Sequence, residues 1–227
     1  ARRSVAIRAS DWFERTGDID RAVDHASRAD ATERVIRLIA THGPAMQTVG
    51  RHHSVDRWLA MLPRDIVLSN GPLCLLSAST SIASGEGEEA LIWLKFADQA
   101  VAEPTDTEPV RLEMKALRSM LVTSDIDGAL TDANQAYEGL PAGRWHAFAC
   151  LSRGLLSLVR GDDAVALELL EEGAIEARLV GASTIEAQCC GALGFAYAGT
   201  GEWTLARSMA RRARQQLGVA LGIAAQA

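Results

Sequence analysis

A small residue followed five positions later by an alanine recurs along this 227-residue chain, and this pattern constrains the fold more than any other feature. It occurs five times, as Gly17 with Ala22, Gly85 with Ala90, Ser124 with Ala129, Gly161 with Ala166, and Gly201 with Ala206. Successive occurrences lie 68, 39, 37 and 40 residues apart, and the first interval is close to two units. A period of this length is typical of arrays of short helical units.

Other positions repeat in phase with the first residue of each pair. Twelve residues later the side chain is small in every case: Ala29, Ala97, Ala136, Gly173 and Ala213. Seven residues earlier it is small in four of five cases: Ser10, Ala78, Leu117, Gly154 and Gly194. Antiparallel helices approach closely only where small side chains occupy their crossing. Because these phases resemble a tetratricopeptide repeat, we expect an all-α fold, a right-handed superhelix of about six antiparallel tetratricopeptide-like helix pairs.

The repeat predicts where the helices lie. We expect pairs at about 3–16 with 18–29, 71–84 with 87–102, 107–123 with 125–139, 143–160 with 162–179, and 182–199 with 202–217. An irregular pair at about 31–62, with helices near 31–42 and 45–61, fills the long interval, with a break at Gly43-Pro44 because proline disfavours continued helix. We interpret residues 1–227 as a single tetratricopeptide-like domain. Since the chain lacks a starting Met and residues 218–227 resemble the start of a further helix, we expect a fragment of a longer protein.

Composition supports this interpretation and excludes several classes of protein. Hydrophobic residues make up 48% of the chain and aromatic residues 5%. The net charge of −6 is not the basic footprint of a nucleic-acid binder, and no apolar run is long enough to span a bilayer. No signal peptide is visible, so we expect a cytoplasmic protein. The four cysteines follow no metal or disulfide spacing and are expected to be reduced, buried thiols.

A second set of residues lies in and around the irregular pair. It comprises Trp12-Phe13-Glu14 and His25-Ala26, then Leu38-Ile39 with His42-Gly43, then Val55, Trp58-Leu59 and Leu62-Pro63, and finally Gly71-Pro72-Leu73 with Leu75-Leu76 and Ala78. In order and spacing these residues resemble the start of the superhelical region of large bacterial LuxR-type activators of the maltose-regulator class. The resemblance covers about the first 95 residues, and beyond them only the general repeat pattern agrees.

The resemblance implies the effector-sensing or protein-interaction region of an ATP-dependent transcriptional regulator. Such proteins carry a nucleotide-binding module upstream and a helix-turn-helix domain downstream. This chain has no GxxxxGK[ST] loop and no convincing recognition helix, so we expect no cofactor here, ATP being implied only for an upstream module. We also expect no direct contact with nucleic acid, no membrane contact and no enzymatic activity. The expected partner is a small-molecule inducer or a regulatory protein on the concave face, and self-association stays open.

The first helix of each tetratricopeptide pair lines the concave face, so polar residues there are candidates for binding. Arg111, Lys115 and Arg118 are spaced i, i+4 and i+7 and share one helix face. This cationic stripe suits an anionic effector or an acidic peptide, although an ordinary solvated face explains it as well. Gln188 and Ser79 take equivalent phases in other repeats. A generic scaffold that docks a partner peptide or helix is therefore the alternative function.

Two further clusters have simpler explanations. Arg207, Arg211, Arg212 and Arg214 make the last helix basic, which favours a helix C-terminus or a face against a following repeat more than nucleic-acid contact. His52 and Asp56 are spaced i, i+4 and could share a metal, but two ligands do not make a site, so we predict none.

Overall fold

The chain is all-α throughout the residues that the computed structural model describes, which are 2–100, 107–121 and 125–225. Thirteen helices lie within these ranges, and none of them combines the length and apolarity that crossing a membrane requires. The described residues form two compact units, one of residues 2–47 and 51–100, the other of residues 48–50, 107–121 and 125–225.

The helices of the first unit are α1 Arg2–Arg15, α2 Ile19–Arg28, α3 Thr32–Thr48, α4 His52–Leu59, α5 Arg64–Leu68, α6 Gly71–Ala83 and α7 Gly87–Ala100. The helices of the second unit are α8 Thr107–Ser119, α9 Ile126–Gly139, α10 Arg144–Arg160, α11 Asp163–Leu179, α12 Ser183–Gly199 and α13 Trp203–Ala225.

The predicted turn glycines end helices, as expected. Gly17, Gly85, Gly161 and Gly201 all have φ between 78° and 82°, a left-handed conformation that glycine adopts without steric cost. Asp18 then caps α2, because its carboxylate accepts a hydrogen bond from the Arg21 N–H. The remaining predicted anchor, Ser124, lies outside the described residues.

Small residues mark the close crossing of α10 and α11. A Cβ added to Gly154 would lie 2.7 Å from Leu170 Cγ, and one added to Gly173 would lie 2.9 Å from Cys150 Cβ. Gly154, later in α10, faces Leu170, and Cys150, earlier in α10, faces Gly173, which comes after Leu170 in α11. The two helices are therefore antiparallel. Crossings this close need side chains no larger than hydrogen at the contact point.

The predicted break at Gly43-Pro44 is wrong. Helix α3 runs through both residues to Thr48 and ends before Gly50, which has a φ of 80°. Gly43 is buried against Leu76, and an added Cβ would lie 2.8 Å from Leu76 Cδ1. Packing therefore accounts for the glycine, and tertiary contacts hold the proline inside a helix that it disfavours by itself.

Two other predicted boundaries need correction. The second helix of the irregular pair, expected at about 45–61, is instead two short helices, α4 and α5, and Pro63 stands at the N-cap of α5. At the other end of the chain, α13 continues through Gly218 to Ala225, so no separate helix starts at residue 218. A single glycine costs a helix only about 1 kcal/mol, which a long helix absorbs.

Each unit has its own core. In the first unit Trp58 is fully buried among Val23, Leu38 and Ile39, and its indole N–H donates to Asp20 at 2.9 Å. The core of the second unit contains Leu151, Leu170 and Leu193. All four cysteines are buried, as expected, and none of them is paired in a disulfide.

Candidate functional site

A cleft of about 290 Å³ opens in the first unit, between α4 and α5 on one side and α6 and α7 on the other. Its α6 wall carries four hydroxyl residues at spacings i, i+3, i+4 and i+7: Ser77, Thr80, Ser81 and Ser84. This spacing puts them on one face of the helix. The floor is apolar and includes Leu59, Leu62 and Val67.

Two of these hydroxyls donate to their own helix. Ser77 Oγ donates to the Leu73 carbonyl at 3.0 Å, and Thr80 Oγ1 donates to the Leu76 carbonyl at 3.0 Å. Thr80 Oγ1 also accepts a hydrogen bond from Gln47 Nε2 at 3.0 Å. A hydroxyl oxygen has two lone pairs, so back-bonding of this kind leaves it able to accept from a ligand. The wall therefore favours a bound molecule that donates hydrogen bonds.

Charged residues stand at the mouth of the cleft. The Arg64 guanidinium lies 5.0 Å from the centre of the Trp93 ring and donates to Glu89 at 2.9 Å. Asp56 and Glu86 also line the cleft. With the arginine held by a glutamate and an aromatic ring, the remaining carboxylates make the mouth acidic. Such a site suits a neutral or cationic polar molecule and disfavours an anion.

The predicted cationic stripe lies on α8, but two of its members are turned towards α9. Lys115 donates to the Gln135 side-chain oxygen, and Arg118 Nη1 lies 3.8 Å from Asp132 Oδ2. Arg111 is exposed. Lys115 and Arg118 therefore have polar neighbours within their own helix pair, as surface side chains on a solvated face commonly do.

The other predicted site residues are dispersed. Ser79 is half-buried on α6 in the first unit, on a different face from the hydroxyls of the cleft, and Gln188 is exposed on α12 in the second unit. On the basic last helix, Arg212 donates to the buried carboxylate of Glu186 at 2.6 Å, which gives this arginine a structural role. Sequence reasoning missed the cleft because one of its walls comes from the irregular helices α4 and α5, which follow no repeat.

A network of charges ties α1 to α3 in the first unit. Glu14 accepts hydrogen bonds from Arg34 and Arg37 at 2.7–2.8 Å, and His42 Nε2 lies 3.7 Å away. The hydrogen bond from Arg37 is the largest influence on Glu14, and it lowers the pKa of this carboxyl to about 2 against the opposing effect of burial. Glu14 therefore stays ionised and holds the two helices together.

A different kind of cluster lies in the second unit. Within the described residues, one group of three side chains offers a potential set of metal ligands: His146 and Cys150 of α10 with Glu176 of α11. His146 Nδ1 is 2.5 Å from Glu176 Oε2 and 3.7 Å from Cys150 Sγ. Burial, reinforced by Glu172 and Glu176, raises the pKa of the Cys150 thiol to about 12. His52 and Asp56, for which the sequence predicts no metal site, are not part of this cluster.

The comparisons with known proteins add no relative. No protein-family model matches the chain, and no curated protein matches it significantly. Within the described residues the chain is all-α and built largely of consecutive helix pairs, and a polar, acidic-mouthed cleft lies in its first unit.

Proposed function

We propose that this chain is the effector-sensing region of a cytoplasmic LuxR-type transcriptional regulator, without catalysis of its own, and that the cleft takes the effector. The observation that carries this proposal is that the cleft is formed by the segment of the chain that resembles this family. Leu59, Leu62 and the residues around Ala78 belong to the segment whose order and spacing resemble that family, and the same segment forms the cleft. A sensor needs a preformed site of this size with a few polar groups.

The helix pairs support the same proposal. We interpret α1–α2, α6–α7, α8–α9, α10–α11 and α12–α13 as tetratricopeptide-like pairs that stack, within each unit, in the manner of a right-handed superhelix. Stacked pairs bury one continuous core and leave an extended surface, on which a regulatory protein can bind. This part of the proposal predicts a GxxxxGK[ST] loop upstream in the parent gene and a helix-turn-helix downstream. A gene that encodes neither module would contradict it.

The effector proposal is tested by a thermal-shift screen of sugars, nucleotides and acyl compounds. Because the mouth is acidic and the wall accepts hydrogen bonds, we expect an uncharged, hydroxyl-rich compound to raise the melting temperature and anionic nucleotides to leave it unchanged. A ligand that binds only the folded state stabilises it by mass action.

Paired variants then locate the binding. Asp56→Asn removes one charge from the cleft mouth and should reduce the ligand-induced shift at equal ligand concentration. Asp65→Asn is the matched control, since Asp65 is an exposed acid on α5 that does not line the cleft. Equal shifts in the two variants, or a panel in which nothing binds, would remove the cleft from the proposal.

The alternative of a peptide-docking scaffold predicts weaker partner binding in an Arg111→Ala, Arg118→Ala double variant.

A further inference from the structure

The crossing of α10 and α11 brings three chemically different side chains together. His146 and Cys150 are one turn apart on α10, so their side chains share a face. Glu176 lies about one turn beyond Gly173, where an added Cβ would lie 2.9 Å from Cys150 Cβ. The absence of a side chain at position 173 thus lets the carboxylate of Glu176 approach the imidazole and the thiol.

We propose that His146, Cys150 and Glu176 form a binding site for Zn²⁺. Their ligand atoms, a nitrogen, a sulfur and an oxygen, all lie within 4.8 Å of one another. This donor set is one that zinc accepts, whereas the harder ions Mg²⁺ and Ca²⁺ require oxygen ligands and avoid sulfur. Three protein ligands leave the fourth tetrahedral position to water.

The geometry needs a local adjustment of the side chains, because the three ligand atoms lie within 4.8 Å of one another and not yet at tetrahedral spacing. Bond lengths of about 2.1 Å to nitrogen and oxygen and about 2.3 Å to sulfur put tetrahedral ligand atoms about 3.4–3.6 Å apart. The separation of 3.7 Å between Cys150 Sγ and His146 Nδ1 already fits. His146 Nδ1 and Glu176 Oε2, now hydrogen-bonded at 2.5 Å, must separate by about 1 Å to admit an ion between them.

Neighbouring groups restrain the three ligands. The backbone N–H of Gly143 donates to Glu176 Oε1 at 2.5 Å, which leaves Oε2 to face the imidazole and the thiol. The ring of Tyr137 packs on the His146 ring with centroids 4.9 Å apart, and its hydroxyl donates to Glu172. Contacts of this kind behind the ligands hold them in orientation and strengthen metal binding. The side chains of His146 and Glu176 are 15% and 14% exposed, so the cluster is not sealed from solvent.

The competing explanation is purely structural. Glu176 places a negative charge at the N-terminus of α10, where it caps Gly143 and pairs with His146, and the helix dipole favours this arrangement without any ion. That explanation accounts for the carboxylate and the imidazole, and it leaves the Cys150 sulfur as a buried core thiol that binds no ion. The thiol is therefore the residue on which the two explanations differ.

The test uses the full chain, reduced and free of chelator, titrated with Co²⁺ as an optical substitute for Zn²⁺. We expect a thiolate-to-cobalt charge-transfer absorption that saturates at one ion per chain and disappears when Zn²⁺ displaces the cobalt. Cys150→Ser should abolish that absorption and weaken Zn²⁺ binding at least tenfold. Cys190→Ser is the matched control, because Cys190 is equally buried in the same unit but lies outside the cluster.

Each outcome decides the proposal. A wild-type chain without the cobalt absorption, or a Cys150→Ser variant that keeps it, would overturn the site. Circular dichroism checks that the variants are folded, and Cys150→Ala replaces Cys150→Ser if the serine variant does not fold. In Glu176→Gln, loss of stability with unchanged Zn²⁺ affinity would favour helix capping and overturn the role of the carboxylate as a ligand.

Discussion

Glycines in these helices have opposite roles according to what faces them. A Cβ on Gly154 would lie within 3 Å of two atoms of Leu170, whereas one on Gly191 of α12 would meet no atom within 4 Å. Gly154→Leu should therefore lower the free energy of unfolding by about 1–3 kcal/mol through over-packing. Gly191→Leu is the matched control and should be neutral or stabilising by up to about 1 kcal/mol, because leucine favours helix. Urea unfolding measures the stability of both variants. Equal stabilities would contradict the close crossing of α10 and α11 at Gly154.

Two glutamates predict pH effects of opposite sign. The pKa of Glu14 is lowered from its usual 4.5 to about 2, so its contribution is fully present above pH 4.5 and is lost as the pH falls towards 2. The pKa of Glu113 on α8 is raised to about 7, because burial outweighs the attraction of Arg144. Ionising Glu113 therefore costs stability as the pH rises from 4.5 through 7.

Urea unfolding at several pH values tests this pair. Glu14→Gln should be less stable than wild type at pH 7, and the difference should shrink as the pH falls below 4.5. Glu113→Gln should match wild type near pH 4 and exceed it at pH 8. Parallel pH curves for the two variants would contradict both assignments.

At the scale of the element, Pro44 stands inside α3 rather than at its end. An interior proline removes one helical hydrogen bond and costs about 3 kcal/mol in an isolated helix. Pro44→Ala should therefore raise the free energy of unfolding, by about 1 kcal/mol or more. Pro72→Ala is the control, since Pro72 lies in the first turn of α6, where proline is favourable, and should gain nothing. A Pro44→Ala variant that is less stable than wild type would show that the proline itself packs.

The regular helices were predictable and the irregular ones were not, for a physical reason. Turn glycines and small crossing residues recur because every pair faces the same steric problem, so the repeat predicts α10–α13 within a few residues, apart from the continuation of α13. In residues 31–70, tertiary contacts determine the helix boundaries instead. There the burial of Gly43 against Leu76 outweighs the local signal of Gly43-Pro44, and the positive φ of Gly50 ends the helix.

The same distinction applies to the candidate sites. The spacing of His146 and Cys150 is readable from the sequence, but Glu176 joins them only through the register between α10 and α11. The repeat phase points to Ser79, while the cleft uses the adjacent face of α6, because the helices opposite are α4 and α5. The phase of a repeat predicts which face of a helix a residue lies on. It does not predict which of these faces an irregular neighbouring helix contacts.

At the scale of the whole molecule, each of the two units has a core of its own among the residues that the structure describes. The first centres on Trp58 and is anchored by Asp20, which also accepts from Arg51 and Arg57. The core of the second unit is divided among several smaller clusters rich in alanine, leucine and cysteine. The superhelical stacking and the single domain remain predictions.

The division of the aromatic residues between the units gives the chain built-in optical probes. Trp58 is fully buried and hydrogen-bonded, whereas Trp12 is 54% and Trp203 63% exposed. The first unit thus contains both a shielded indole and a solvated one, and Trp93 borders its cleft. An aqueous quencher such as iodide should reach Trp12 and Trp203 while the emission of Trp58 persists. Single-tryptophan variants can therefore follow the unfolding of each unit by the wavelength of their fluorescence emission.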